Sequence, residues 1–270
     1  MPYVNADGVR LYYESAGEGL PLILHAHHHM SWMPFQFPYF SQFYRIITFD
    51  RRGTGRSDNP PGPWSPADFA RDIRNLMDAL EIDKAIVGGN SLGGVTSSQF
   101  GIDYPDRALA LIVGHTTPYR RALSREWIQN QIEMAERGEP VIVKQPRSFE
   151  WEDEGPPTIA EGFKETQFGH YLATLDSSIG STDSTPKMLR ALANWDQRPR
   201  FPELRQLDVP ALVIVGGNEP QKTIELSYEW HKQFKTSEFL ILPNTHHSAG
   251  IENPIGWNAA VHGFLKRHEL

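Results

Sequence analysis

Short β-branched and apolar runs alternate along this chain with segments whose apolar positions recur every three to four residues, the mark of strands interleaved with amphipathic helices. Tyr44–Phe49, Lys84–Val87, Ala108–Val113, Ala211–Val215 and Glu238–Leu242 read as buried strands, being nearly continuous apolar runs instead of alternating ones. Val9–Glu14 and Pro21–His25 flank Gly17 and Gly19 and read as an antiparallel entry hairpin. The clearest helix starts at Ser65. Ser65 is placed to cap, Pro66 suits the first helical position, Asp68 can complete a capping box, and Phe69, Ile73, Leu76, Met77 and Leu80 form one apolar stripe. Strand and helix in alternation predict an α/β fold with a mostly parallel sheet flanked by helices.

Nearly a hundred residues separate the strand ending near Val113 from the one beginning at Ala211, and they carry helix patterns with no strand candidate beyond Val141–Val143. Ser124–Glu136, Thr158–Leu175 and Thr185–Trp195 are the helix candidates, joined by the polar, proline-containing stretch Glu150–Pro157. A parallel sheet needs no such excursion between strands. The expected organisation is a core formed by residues 1–117 and 201–270, with residues 118–200 inserted as a helical cap; helices that simply cover the sheet are the alternative.

The 270 residues are 39% hydrophobic and 22% charged, which suits one large globular unit. Lysine and arginine number 26 against 33 acidic residues, and the net charge of −7 opposes binding to nucleic acid or anionic lipid. No apolar run approaches the ~20 residues that span a bilayer, and the opening residues Met1–Gly8 lack the basic start and apolar stretch of a signal peptide. A cytoplasmic protein, monomeric or homodimeric, is expected. The chain has no cysteine, so disulfides, thiolate metal sites and cysteine nucleophiles are excluded.

Candidate chemistry begins after the run Lys84–Val87, where Gly89-Asn90-Ser91-Leu92-Gly93 forms a GxSxG turn leading into a helix-compatible segment. A tight strand-to-helix turn of this kind strains the serine backbone and exposes its hydroxyl at the sheet edge, and the glycines let chain and helix approach. A nucleophilic serine needs a base and an acid to orient that base. Glu219 follows the strand Ala211–Val215, and His246 and His247 follow Glu238–Leu242. The order is serine, acid, histidine.

These motifs make the chain resemble the α/β-hydrolase fold enzymes over nearly its whole length. Asp50-Arg51-Arg52-Gly53-Thr54-Gly55-Arg56-Ser57-Asp58 is similar to that family's DxRGxGxSD segment, Tyr104-Pro105-Asp106-Arg107 to its YPxR, and His247 with Glu252-Asn253-Pro254 to its histidine loop. Asn90 before the serine is similar to the elbow of meta-cleavage-product hydrolases, which cut carbon–carbon bonds. The resemblance implies Ser91 as nucleophile, His247 as general base and Glu219 as orienting acid, in the place where the family usually has Asp. His246 is the local rival of His247. The family's His-Gly-small loop reads here His25-Ala26-His27-His28-His29, so by position the amides of His27 and Leu92 would form the oxyanion hole, with Ala26 narrowing the backbone.

Seven of the 11 histidines (His25, His27, His28, His29, His115, His246 and His247) fall within or just after strands and should crowd one sheet edge. A metal site, recognition of a polar or anionic substrate, and ordinary packing or capping are the three uses open to them; no HxHxDH pattern supports the metal, and no metal or cofactor is expected. His28, His29, Trp32, His115 and Trp151 are the substrate-binding candidates. The aromatic stretch Trp32, Phe35, Phe37, Tyr39, Phe40, Phe43 and Tyr44 reads first as core, and some of its rings, with Trp127, Trp151 and Trp195, are candidates for an apolar pocket. The acidic run Glu152-Asp153-Glu154 reads as a solvated loop. A serine hydrolase acting on a small carboxylic ester, lactone or related carbonyl compound is the expected activity. Carbon–carbon hydrolysis on the same triad, a cofactor-free oxygenase using His247 as base, and a receptor with an idle triad are its rivals.

Overall fold

The computed structural model describes residues 2–26, 31–120, 122–139 and 184–270. Its centre is an eight-stranded sheet. The strands are β1 (Tyr3–Ala6), β2 (Val9–Ala16), β3 (Pro21–His25), β4 (Arg45–Phe49), β5 (Ala85–Asn90), β6 (Ala108–Gly114), β7 (Ala211–Gly216) and β8 (Ser237–Leu242). Their spatial order is β1-β2-β4-β3-β5-β6-β7-β8. β1–β2 and β2–β4 are antiparallel, and every later pair is parallel.

The apolar runs of the central strands are explained by burial on both faces. In β3, Ile23 faces one core while Leu22 and Leu24 face the other; in β5, Ala85 and Val87 oppose Ile86; in β7, Ala211 and Val213 oppose Leu212 and Ile214. The first core is closed by the helices Pro66–Ala79 and Leu92–Asp103, through residues such as Phe69, Ile73, Val95 and Phe100. The second is closed by the helix Pro254–Arg267, through Trp257, Val261, Phe264 and Leu265, together with Trp32, Phe40 and Tyr44 of the aromatic stretch. Full burial of each such side chain contributes about 1.5–3 kcal/mol. The helix opening at Ser65 has its expected capping box, the Asp68 carboxylate accepting the Ser65 backbone N–H at 2.8 Å.

Two local expectations need correction, and one strand was not expected. Val9–Ala16 does not form a hairpin with Pro21–His25: β2 pairs with β1 on one side and with β4 on the other, and β3 lies between β4 and β5. The strand Tyr3–Ala6 carries too few apolar residues to stand out, and it is stabilised by the register Tyr3 to Tyr12 through Ala6 to Val9. β8 is half-buried, with Ile241 47% exposed, because it lies at the sheet edge, with β7 as its one neighbour among the described residues.

Leaving β6, the chain runs antiparallel to its own return. The Arg120 N–H donates to Trp195 O at 2.9 Å, the Gln197 N–H to Pro118 O at 2.8 Å, and the Trp195 indole N–H to Thr117 O at 2.8 Å. Beyond this stem the helices Ala122–Glu136 and Ser184–Ala193 pack against each other. Val141–Val143, Glu150–Pro157 and Thr158–Leu175 lie outside the described residues. No described helix is long and apolar enough to cross a membrane.

Candidate active site

Because β3, β5, β6, β7 and β8 run parallel, the residues following each of them meet at one edge of the sheet. There the structure brings together Ser91, His115, Glu219 and His247.

Ser91 stands between β5 and the helix Leu92–Asp103 at φ 57° and ψ −115°, a strained conformation for a residue with a side chain. Its N–H donates to Gly114 O at 2.8 Å, and its carbonyl accepts the Val95 N–H at 3.1 Å, so strand and helix both fix it. The flanking glycines are required by contact: a Cβ on Gly89 or on Gly93 would collide with the carbonyl oxygen of His25 at the end of β3. Leu92 opens the helix, so its amide is one of the first-turn donors that no helical carbonyl can satisfy, at the positive end of the helix dipole.

Glu219 is 8% exposed in the turn after β7. Its Oε1 lies 2.9 Å from His115 Nδ1 and 3.4 Å from His247 Nδ1. Burial works to raise this carboxyl, but the charge of His247 and the hydrogen bond from His115 outweigh it and hold Glu219 well below the usual carboxylate range. His247 is tethered at its backbone, its carbonyl accepting the Asn90 amide at 3.0 Å. His246 turns elsewhere: its N–H and its Nδ1 meet Glu252 Oε2 at 2.9 and 3.1 Å. Neighbouring histidines thus have separate carboxylates, and His247 is the one that faces Glu219.

A cavity of about 160 Å³ opens at this point, lined by Ala26, Ser31, Trp32, Asn90, Ser91, His247, Ser248, Gly250 and Ile251. Trp32, a substrate-binding candidate, is on its wall while packing against Trp257 at 5.2 Å. His115, also a substrate-binding candidate, is 1% exposed and turned onto Glu219 instead. His27, His28, His29 and Trp151 lie outside the described residues. His25 is buried and stacked on Phe49 at 5.0 Å, and Trp195 packs on Trp230 at 6.3 Å. The described histidines of the sheet edge are therefore dispersed over stacking, Glu252 and Glu219, and among the described residues no group of three or more His, Asp or Glu is placed to hold a metal ion.

Sequence reasoning missed the link between His115 and Glu219, because 104 positions separate them and neither has a local signature of the other. The Asp50–Asp58 segment proves to be a loop closed on itself: Asp50 accepts the Arg56 N–H at 2.9 Å, and Arg52 leaves it to grip Asp72 with two hydrogen bonds of 2.6 Å.

This geometry can be set beside known proteins. The chain is 30% identical to the 3-oxoadipate enol-lactonase 2 of Acinetobacter baylyi over 236 residues, covering 86% of this chain and 82% of the relative. It is 25% identical to the 2-hydroxy-6-oxo-6-(2'-aminophenyl)hexa-2,4-dienoic acid hydrolase of Metapseudomonas resinovorans, covering 98% and 90% of the two chains. Its fold superposes on the enol-lactonase of Burkholderia xenovorans with a TM-score of 0.79 at 23% identity, over 98% of this chain and all of the other. The sequence pattern of the alpha/beta hydrolase family matches residues 22–260, and with the strained serine elbow and the strand order described above, the chain belongs to that family.

Proposed function

We propose that this hydrolase cleaves a small carboxylic ester or lactone through an acyl-enzyme on Ser91. The observation that carries the proposal is the convergence at one cavity wall of Ser91, on its strained elbow, and His247, whose Nδ1 faces the buried Glu219 carboxylate at 3.4 Å. With Nδ1 toward Glu219, the other ring nitrogen of His247 is left to take the Ser91 proton. The serine oxygen attacks the substrate carbonyl, and the Leu92 amide, with that of His27, donates to the tetrahedral oxyanion. Collapse breaks the acyl–oxygen bond as His247 returns the proton to the leaving oxygen, which in a lactone stays attached to the acyl chain. Water, deprotonated by His247, then releases the acid and restores Ser91. Glu219 keeps the imidazole oriented and stabilises its cationic form.

The Acinetobacter relative, an enol-lactonase by name, supports the lactone end of this class. Residues 118–200 serve as a cap over the sheet edge, a reading supported by the hydrogen-bonded stem at Pro118–Arg120 and Trp195–Gln197. The substrate is then a small molecule held between cap and elbow, with Trp32 as an apolar wall and no cofactor.

Treatment with a fluorophosphonate, followed by peptide mass spectrometry and an ester and lactone panel, tests the assignment. Ser91 is expected to carry the adduct, and His247→Ala to abolish it. Ser91→Ala is expected to lower kcat/KM by at least ~10³-fold. Ester turnover that survives in Ser91→Ala overturns the assignment.

A further inference from the structure

The acid of the site has two imidazole partners on a single oxygen. His115 Nδ1 lies 2.9 Å from Glu219 Oε1 and His247 Nδ1 lies 3.4 Å from the same atom, with the two rings edge to face at 6.1 Å between centroids. His115 is 1% exposed, and its backbone is pinned by an N–H bond to Ile214 O at 2.8 Å, in the left-handed region at φ 50°. That conformation is uncommon for a residue with a side chain, and it fixes the direction in which the ring leaves the backbone. Its Nε2 is buried and has no hydrogen-bond partner among the described residues. A proton on Nε2 would leave a buried N–H unpaired and turn the Nδ1 lone pair onto the Glu219 carboxylate, whereas a proton on Nδ1 is donated to that carboxylate, so the Nδ1–H tautomer fits this place.

We propose that His115 is a positioning residue for the acid–base pair: its Nδ1–H holds the Glu219 carboxylate in place and draws off part of its charge, which sets how strongly Glu219 supports the protonated form of His247. This rests on Glu219 being the orienting acid of the proposed hydrolase. The groups that bear on it come from three loops. Glu219 follows β7, His247 follows β8, and His115 follows β6; on the β8 loop the nearby His246 is engaged with Glu252. His115 hydrogen-bonds to Glu219 and packs edge to face on His247, so it acts through the pair and not on the substrate.

Two variants separate this role from packing. In His115→Asn, the side-chain amide stands where Nδ1 stood and asparagine tolerates the positive φ; in His115→Gly, the backbone is accommodated and the donor is gone. His115→Gly is expected to lose about tenfold in kcat with KM within about twofold, and the acid limb of its kcat/KM profile is expected to move up by about half a pH unit, because an undrained carboxylate favours the imidazolium more. His115→Asn is expected to restore both. A rise in KM with kcat retained would make His115 a substrate-binding residue, and equal damage in both variants would reduce it to a filler of volume; either result overturns the proposal, as does His115→Gly with wild-type kinetics.

A second measurement does not depend on turnover. In the 15N spectrum of the histidine-labelled protein, with the His115 resonances assigned by their loss in His115→Asn, Nδ1 is expected to be protonated and Nε2 bare. A proton on Nε2 with Nδ1 bare overturns the proposal. Should the wild type turn over no ester or lactone and take no label at Ser91, the hydrolase reading itself has failed, and this spectrum alone decides whether His115 donates to Glu219.

Discussion

The side chain of Asn90 donates to the backbone carbonyl of His247 at 3.0 Å, joining the residue before Ser91 to the loop that carries His247 across 157 positions of sequence. The elbow and the histidine loop are therefore positioned as one unit, and small displacements between reacting groups are costly in rate. Asn90→Leu removes the donor at similar volume. Its kcat is expected to fall about tenfold while the melting temperature changes by no more than a few degrees; steady-state kinetics beside a thermal melt read the two effects separately. Wild-type kcat in this variant would show that the tether is dispensable.

The adjacent histidines should behave differently. His246 is held by Glu252 and His247 faces Glu219. His246→Gln, which can still reach Glu252, is expected to keep fluorophosphonate labelling of Ser91 within about fivefold of the wild-type rate, whereas His247→Gln labels at least ~10²-fold more slowly. Labelling rates followed by intact mass decide between them. The reverse pattern would assign the proposed role of general base to His246.

Acid should destabilise the fold partly through Glu219. An unfolded glutamate has its ordinary pKa of 4.5, and the folded value is lower, so the unfolded chain binds more protons between the two values. The stability from this carboxylate is fully present above about pH 4.5 and is lost as the pH falls through the folded value. Asp68 contributes in the same sense: burial opposes its ionisation, but the hydrogen bonds from Ser65 and the charge of Arg71 prevail. Melting temperatures between pH 6 and pH 3 are expected to fall less steeply in Glu219→Gln than in the wild type. Parallel curves would remove Glu219 from the acid response.

Asp72 is 1% exposed and receives two hydrogen bonds of 2.6 Å from Arg52. Arg51 is equally buried beside this pair, with its guanidinium over the Phe69 ring at 5.2 Å, and burial pushes its pKa down to about 10. Asp72→Ala would leave two buried cations without their carboxylate. A loss of about 3–5 kcal/mol is expected in urea unfolding, with a smaller loss when Arg52→Met is combined with Asp72→Leu. A single variant no less stable than the double would contradict this account of the loop.

Local signals made much of this protein readable from its residues. The Ser65–Asp68 capping box and the stripe through Phe69, Ile73, Leu76 and Met77 specify a helix, because caps and periodicity act within a few residues. The serine elbow is as local: Gly89 and Gly93 flank Ser91 within five residues, and the structure shows the carbonyl of His25 that a Cβ at either glycine would meet. The chain order of Ser91, Glu219 and His247, each following an apolar run, also placed them at one edge once the strands were taken as parallel. Partner choice was decided elsewhere. Alternation marks which faces of Val9–Ala16 are apolar but does not say which strand lies beside it, and β4 takes the place expected of β3 because pairing is settled by burial across the whole sheet. The part played by His115 belongs to the same class: a histidine after a strand is compatible with many uses, and only the folding of β7 beside β6 brings Glu219 within 2.9 Å of its ring. Sequence determines what spans a few residues and which residues follow the strands, and the tertiary structure determines which strands are neighbours and which buried side chains, such as His115 and Glu219, come within hydrogen-bond distance.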